Sequence, residues 1–92
     1  MNCYLACFDI TDDKNRERVG KELLVYGERV QKSVFEIMIR HPAELDEIRD
    51  KLAPLLEDGD DLRFYRLCAV CRSQSTGIRG ESLAHFPAGV VI

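Results

Sequence analysis

The chain has 92 residues, of which 46% are hydrophobic and 32% are charged, and its formal net charge at pH 7 is −3. This composition is typical of one globular domain, near the size at which a partner chain helps to complete the core. It offers neither an apolar run long enough to cross a bilayer nor a signal-peptide pattern, so we expect a cytoplasmic protein without a membrane partner. The negative charge excludes a generally basic surface, and any nucleic-acid binding must come from local arginine clusters.

The first predicted elements are a strand over residues 2–9 and a helix over residues 14–27. Both alternating sets of strand side chains are apolar up to the last residue, so both faces are expected to be buried. Alternation places that last residue, Asp9, on the same face as Cys3 and Cys7. From the residues alone, Asp9 is either a turn or capping residue, or one of two carboxylates that meet across a two-fold axis and hold Mg²⁺.

The remaining predicted elements are a β-rich segment over 28–40, a helix from Pro42 that Pro54 ends or kinks, a turn over 57–61, a strand over 62–70 and a short terminal strand over 89–92. The β-rich segment, with Ser33 in the middle, is long enough for one bent strand or for two pieces joined by a bulge. This order matches the βαββαβ plan of a ferredoxin-like α+β sandwich, which has two helices on one face of its sheet.

The uncovered face of such a sheet needs a partner, because the first strand is apolar on both sides. The simplest partner is a second copy of the chain in a two-fold homodimer, and the terminal strand could pair with an edge strand of that copy. We therefore expect one domain over residues 1–92. It comprises a core over about 1–71, and a C-terminal loop with a dimer-exchanged strand over about 72–92.

The four cysteines fall into two groups. Cys3 and Cys7 lie in the first strand and are expected to act as small buried hydrophobes, and a cytoplasmic setting argues against disulfides. Cys68 and Cys71 form a C-x-x-C, which supplies only two of the four ligands of a structural zinc, while both histidines stand far away in sequence. A redox pair is expected where C-x-x-C opens a helix, whereas this one is predicted in a strand that runs into a loop.

Three segments, "CFDITDDKNRERV", "YGERVQKSVFE" and "LRFYRLCAVC", resemble the CRISPR-associated protein 2 family in order and spacing over roughly residues 3–71. The resemblance implies a ferredoxin-like homodimer with a swapped terminal strand. It implies a Mg²⁺-dependent endonuclease that acts on single-stranded RNA or double-stranded DNA and takes part in spacer acquisition with the CRISPR integrase. The alternative is a non-catalytic architectural dimer that bridges integrase subunits and holds spacer duplex DNA. A small-molecule regulatory module fits the fold but not these motifs.

The resemblance also assigns site residues. Asp9 falls on the family's catalytic and metal-binding aspartate. Arg16, Arg18 and Arg29 fall on basic positions, and their forked, permanently charged guanidinium groups suit contact with nucleic-acid phosphates. From the residues alone, the alternative interpretation is a solvated helix face for Arg18 and an ordinary surface ion pair for Arg16.

Two aromatic residues complete the assignment as possible substrate contacts. Phe8 stands where many family members have Tyr, so a role that needs the hydroxyl is lost here. Phe35 fits the core as well as it fits a contact.

Overall fold

The structure, a computed structural model, describes residues 1–83. Its elements are β1 (Asn2–Asp9), α1 (Asp13–Leu24), β2 (Gly27–Gln31), β3 (Val34–Ile39), α2 (Pro42–Leu52), a 3-10 helix (Ala53–Leu55), β4 (Asp61–Leu67) and α3 (Ala69–Ser73). The strands of this part of the chain form one antiparallel sheet in the order β2-β3-β1-β4. This connectivity confirms the predicted ferredoxin-like α+β sandwich. The predicted terminal strand over 89–92 lies outside the described residues.

The first helix begins where the sequence predicts but ends earlier. The Asp12 carboxylate accepts a hydrogen bond of 2.9 Å from the Asn15 backbone N–H and so caps α1. The helix ends at Leu24, because Gly27 belongs to β2 rather than to the helix terminus that we predicted. A Cβ atom at Gly27 would lie 1.9 Å from the Glu36 carbonyl oxygen, so only glycine lets the two strands approach here.

The β-rich segment over 28–40 is a hairpin of two strands rather than one bent strand. β2 and β3 pair antiparallel around a turn at Lys32 and Ser33, and their register shifts between Arg29 and Gln31. The two predicted strand pieces are therefore present, but a turn joins them rather than a bulge, and the irregularity in register lies within β2. The Ser33 carbonyl accepts a 3.0 Å hydrogen bond from the Phe8 backbone N–H, which joins the turn to β1.

Helices α1 and α2 cover one face of the sheet, and the hydrophobic core lies between them and the strands. The core consists of Ala6, Phe8, Ile10, Val19, Leu23, Phe35, Ile37, Ile39, Leu45, Ile48 and Leu52. The helical members recur at three- and four-residue spacing, as expected of amphipathic helices that bury one stripe. Across residues 1–83, no helix is long and apolar enough to span a membrane.

The segment after β4 differs from the prediction. The predicted strand over 62–70 ends at Leu67, whose partner Cys3 lies close to the start of β1, so the neighbouring strand offers little further pairing. Cys68 instead caps α3, because its sulfur accepts the Cys71 backbone N–H at 3.3 Å. The interpretation of the C-x-x-C as part of a strand was wrong, and it opens a short helix.

Candidate functional site

Asp9 is the last residue of β1, and its exposed side chain lies on the sheet face that α1 and α2 leave uncovered. Alternation fixes this placement, because the neighbouring Phe8 is buried in the core on the helix side. We call the uncovered side the open face. The residues of β1, β3 and β4 that lie on the open face are Cys3, Leu5, Cys7, Asp9, Val34, Glu36, Met38, Asp61, Arg63, Tyr65 and Leu67. The predicted side for Asp9 is therefore confirmed.

A second carboxylate stands directly opposite Asp9. β1 and β4 pair so that Asp9 faces Asp61 on the same side of the sheet, which puts their Cβ atoms about 4.5 to 5.5 Å apart. Two like charges at that distance repel, and Arg63 offsets part of the repulsion because its Nε donates a 2.8 Å hydrogen bond to the Asp61 carboxylate. Asp61 was not among the predicted site residues, because its sequence context predicts the turn over 57–61. The register between two distant strands was the missing information.

Much of the open face between these acids and α3 is apolar and only partly covered. Leu5, Cys7, Val34 and Met38 are half-buried, although no long helix within residues 1–83 packs on them. Tyr65, on the outer strand beside them, is 48% exposed. Apolar side chains left half-covered across neighbouring strands favour burial against a further surface.

The far end of the open face is closed by a buried ion pair. Arg72 of α3 is 5% exposed, and its guanidinium binds the Glu36 carboxylate on β3. Cys3 lies beside this pair, where burial first and the nearby Glu36 second raise the pKa of its thiol to about 11. The Cys3 thiol is thus protonated and inert, as the sequence predicts for a structural cysteine.

An acidic cleft adjoins the Asp9 end of the sheet. The cleft encloses about 710 Å³ and is lined by Thr11, Asp12, Asp13, Lys14, Glu57, Asp58 and Asp60. Asp60 connects the two sides of this cleft, because its carboxylate accepts backbone N–H hydrogen bonds of 2.9 Å from Glu57 and 3.1 Å from Thr11. These two bonds favour the ionised form and lower the pKa of Asp60. They also join the loop after Asp9 to the loop before β4, which keeps Asp9 and Asp61 in register.

The basic site residues gather in a different place. A cleft of about 380 Å³, which we call the hairpin cleft, is lined by Asp13, Arg16, Glu17, Arg29 and Lys32. Two of the three predicted arginines meet there, and Lys32 in the β2–β3 turn adds a cation that the sequence analysis missed. Lys32 is visible in the sequence as a basic residue beside Ser33. Its place in the cleft, however, depends on the turn between β2 and β3.

The three predicted arginines differ in how freely they can act. The Arg16 guanidinium is already engaged by nearby residues, because Nη1 donates to the Ile10 carbonyl at 2.9 Å and Nη2 pairs with the Asp13 carboxylate. Arg29 is exposed and lies over the Phe35 ring, 5.2 Å from its centroid. Arg18 is exposed on α1 and outside the hairpin cleft. The structure therefore brings Arg16 and Arg29 together and leaves Arg18 apart.

Phe8 and Phe35 lie in the core rather than at the surface. Phe35 is 0% exposed and Phe8 is 7% exposed. Their rings stack with centroids 5.9 Å apart, and α1 packs against Phe35 at Gly20. In this conformation Phe35 has no surface to offer a substrate, so its place in the fold corresponds to the core alternative in the sequence analysis.

The open face fits a magnesium ion only in part. Carboxylate oxygens are the ligands that Mg²⁺ prefers, and Asp9 with Asp61 supplies two such groups on one side of the sheet. Within residues 1–83, however, no three side chains of His, Cys, Asp or Glu are placed to hold one ion together. A single copy of this region therefore provides an incomplete magnesium site. Cys68 and Cys71 likewise supply only two possible zinc ligands.

Comparison with known proteins gives a consistent family match. The model of the family described as CRISPR associated protein Cas2 matches residues 1–75. The CRISPR-associated endoribonuclease Cas2 1 of Chloroflexus aurantiacus is 48% identical over 73 residues, which cover 77% of this chain and 77% of that protein. The CRISPR-associated endoribonuclease Cas2 4 of Rhodospirillum rubrum is 39% identical over 89 residues, which cover 95% of this chain and 72% of that protein.

Solved structures agree with the sequence relatives. One chain of a partial Cas6-RT-Cas1–Cas2 complex superposes with a TM-score of 0.83 at 34% identity, and all of both chains is covered. The crystal structure of Streptococcus pyogenes Cas2 superposes with a TM-score of 0.66 at 33% identity, over 72% of this chain and 86% of that one.

Proposed function

We propose that this chain, which belongs to the CRISPR-associated protein Cas2 family, is a CRISPR adaptation protein and a Mg²⁺-dependent endonuclease. It acts in the cytoplasm as a homodimer with CRISPR integrase subunits, and it cleaves phosphodiester bonds of single-stranded RNA or double-stranded DNA. The observation that carries this proposal is the exposed Asp9 carboxylate, held opposite Asp61 at one end of the open face.

The half-buried apolar residues of the open face support the proposed homodimer. A second copy related by a two-fold axis covers that face with the same residues, which is the simplest self-complementary solution. In the proposed dimer the axis runs close to the Asp9 end of this face, so that the Asp9 carboxylates of the two copies approach each other. Each brings its own Asp61, so the two copies together supply the oxygen ligands that one copy lacks.

The chemistry requires the acids to hold a metal ion and to leave room for a phosphate. Asp9 is the better ligand of the two, because Asp61 is already paired with Arg63. A magnesium ion bound there supplies charge stabilisation at the phosphate and lowers the pKa of a coordinated water. The protein's own contribution is to fix both carboxylates by strand pairing and by the Asp60 hydrogen bonds to the adjoining loops.

The hairpin cleft contributes phosphate contacts. Arg29 and Lys32 present exposed cations there, and Arg18 adds one on the neighbouring helix. Arg16 acts mainly by fixing the loop after Asp9, since its guanidinium is engaged with Ile10 and Asp13. These contacts carry no base information, so binding is expected to be largely independent of sequence.

The direct test is cleavage of short single-stranded RNA and duplex DNA by the wild type and by Asp9→Ala, each with Mg²⁺ and with chelator. Asp9→Ala is expected to lose at least about 100-fold in rate, because even the outer-shell partners of metal ligands are worth about 10- to 100-fold. Asp58→Ala is the matched control, since Asp58 is an exposed acid that lies off the open face. Equal rates for wild type and Asp9→Ala would contradict the proposal.

A mixing experiment tests whether two copies share the site. Wild type and Asp9→Ala are refolded together in equal amounts, so that about one quarter of randomly formed dimers contain two Asp9 carboxylates. A shared ion predicts that activity falls to about one quarter of the wild-type value. Activity of about one half or more would show that each Asp9 acts without the other.

The architectural alternative has its own support in the incomplete metal site of a single copy. In that role the dimer bridges integrase subunits and holds spacer duplex through phosphate contacts. Spacer acquisition in cells would then persist in Asp9→Ala and fail in Arg29→Ala. The nuclease proposal predicts that cleavage in vitro is reduced more by Asp9→Ala than by Arg29→Ala.

A further inference from the structure

We propose that Cys68 and Cys71 form a redox-active thiol pair, a modification site at which low-molecular-weight disulfides are reduced while the two cysteines close to an intramolecular disulfide. This site is separate from the open-face acids and does not depend on nuclease activity. Both thiols are free and exposed.

The local geometry suits closure of the pair. Cys68 caps α3, and its sulfur accepts the Cys71 backbone N–H at 3.3 Å. Cys68 is the N-cap rather than a helical residue, but the Arg72 backbone N–H donates to its carbonyl at 2.9 Å and so closes the turn that holds both cysteines. Residues three apart in such a turn have Cα atoms about 5 Å apart, within the range of about 4.4 to 6.8 Å found for disulfides. The two sulfur atoms can therefore meet with little backbone movement.

Both sides of the pair are anchored. Cys68 directly follows Leu67, which is paired with Cys3 in the sheet. Cys71 directly precedes Arg72, which is 5% exposed and bound to the Glu36 carboxylate. Because these anchors already order the segment, closing the ring costs little further conformational entropy.

The two thiols differ in their expected roles. The Cys71 backbone N–H, and then its side chain, donate hydrogen bonds that lower the pKa of the Cys68 thiol. The same contact with Cys68 raises the pKa of the Cys71 thiol. Cys68 is thus the thiolate that attacks an external disulfide, and Cys71 is the thiol that resolves the product. Cys3 supplies an internal comparison, because burial keeps its thiol protonated.

The reaction balances with the external disulfide, RSSR, as oxidant. The Cys68 thiolate attacks one sulfur of RSSR, which forms a mixed disulfide and releases RS⁻. Cys71 then loses its proton to water and attacks the Cys68 sulfur, which closes the intramolecular disulfide and releases the second RS⁻. The two cysteines are oxidised by two electrons, and RSSR is reduced to two RSH.

The test treats the reduced full chain with glutathione disulfide, quenches it with acid and an alkylating agent, and maps the products by mass spectrometry. The expected product is a Cys68–Cys71 disulfide that a dithiol reductant reopens. Cys71→Ser should accumulate a stable mixed disulfide at Cys68. Cys68→Ser should react about three- to tenfold more slowly than Cys71→Ser. Cys7→Ser is the control and should behave as the wild type.

Three results would overturn the proposal. The first is a disulfide that joins two chains or includes Cys7. The second is equal reaction rates in Cys68→Ser and Cys71→Ser. The third is zinc that remains bound through purification and protects both thiols from the disulfide. Unfolding curves of both serine variants show whether they keep the wild-type fold, as exposed positions predict.

Discussion

Replacing Phe35 with alanine tests whether this residue serves the core or contacts the substrate. Phe35 is 0% exposed, stacks on Phe8 and lies under the Arg29 guanidinium, so its removal leaves a cavity at the centre of the core. Such a truncation costs about 3 to 5 kcal/mol. Unfolding of a 92-residue chain carries an entropy of about 0.2 kcal/mol/K. The midpoint temperature should therefore fall by about 15 to 25 °C.

Phe35→Leu is the matched variant, because it keeps most of the apolar volume and loses the ring. It should cost about 1 to 2.5 kcal/mol, from imperfect packing and the lost cation–π contact with Arg29. Thermal unfolding by circular dichroism, at one fixed chain concentration, measures both variants. Fluorescence anisotropy with labelled RNA, well below both midpoints, then measures binding per folded molecule. A Phe35→Ala protein with the wild-type midpoint and no RNA binding would refute the core assignment.

Three further predictions concern other parts of the chain. Glu36→Ala removes the carboxylate that binds the buried Arg72 guanidinium, and it should lower the free energy of unfolding by about 3 kcal/mol. Urea denaturation measures this change, and a value below about 0.5 kcal/mol would contradict burial of the pair. The lowered pKa of Asp60 means that its ionised form adds stability above its unfolded pKa of about 3.9, and that this stability is lost as the pH falls through the lower folded pKa. Asp60→Asn should therefore melt below the wild type at pH 7, and the difference should shrink as the pH falls below about 3.9. A pH-independent difference would be evidence against this linkage. Lys32→Ala should weaken RNA and DNA binding alike and reduce the salt slope by about 0.7 to 0.9, whereas Arg49→Ala on α2, outside the hairpin cleft, should change neither.

The order of elements could be predicted because periodicity reports which side of each element is buried. The helix from Pro42 and the alternation that ends at Asp9 both appear in the structure as the sequence predicts. The C-x-x-C was misplaced for a local reason. Val70 favours a strand by propensity. In the part of the chain that the structure describes, however, no strand pairs with β4 beyond Leu67, and the Cys68 sulfur caps a helical turn instead.

The candidate site was harder to predict, because it depends on contacts between distant segments. Asp61 gains its place only through pairing of β4 with β1, and Lys32 only through the turn that joins β2 to β3. Phe35 is the opposite case, since alternation along β3 would have placed it beside the buried Ile37 once the strand boundaries were known.

The arrangement of charge explains how a chain with net charge −3 could bind a polyanion. Five acids line the cleft beside Asp9, whereas Arg29 and Lys32 lie at the hairpin cleft. A phosphate backbone is therefore attracted to the hairpin and repelled near Asp9, and local charge outweighs the net charge within about 10 Å at ordinary salt. In the proposed function, the repulsion at Asp9 is what a divalent cation removes. A magnesium ion held by Asp9 would then allow substrate to approach the acids, so cleavage would depend on magnesium while phosphate binding at the hairpin cleft would not.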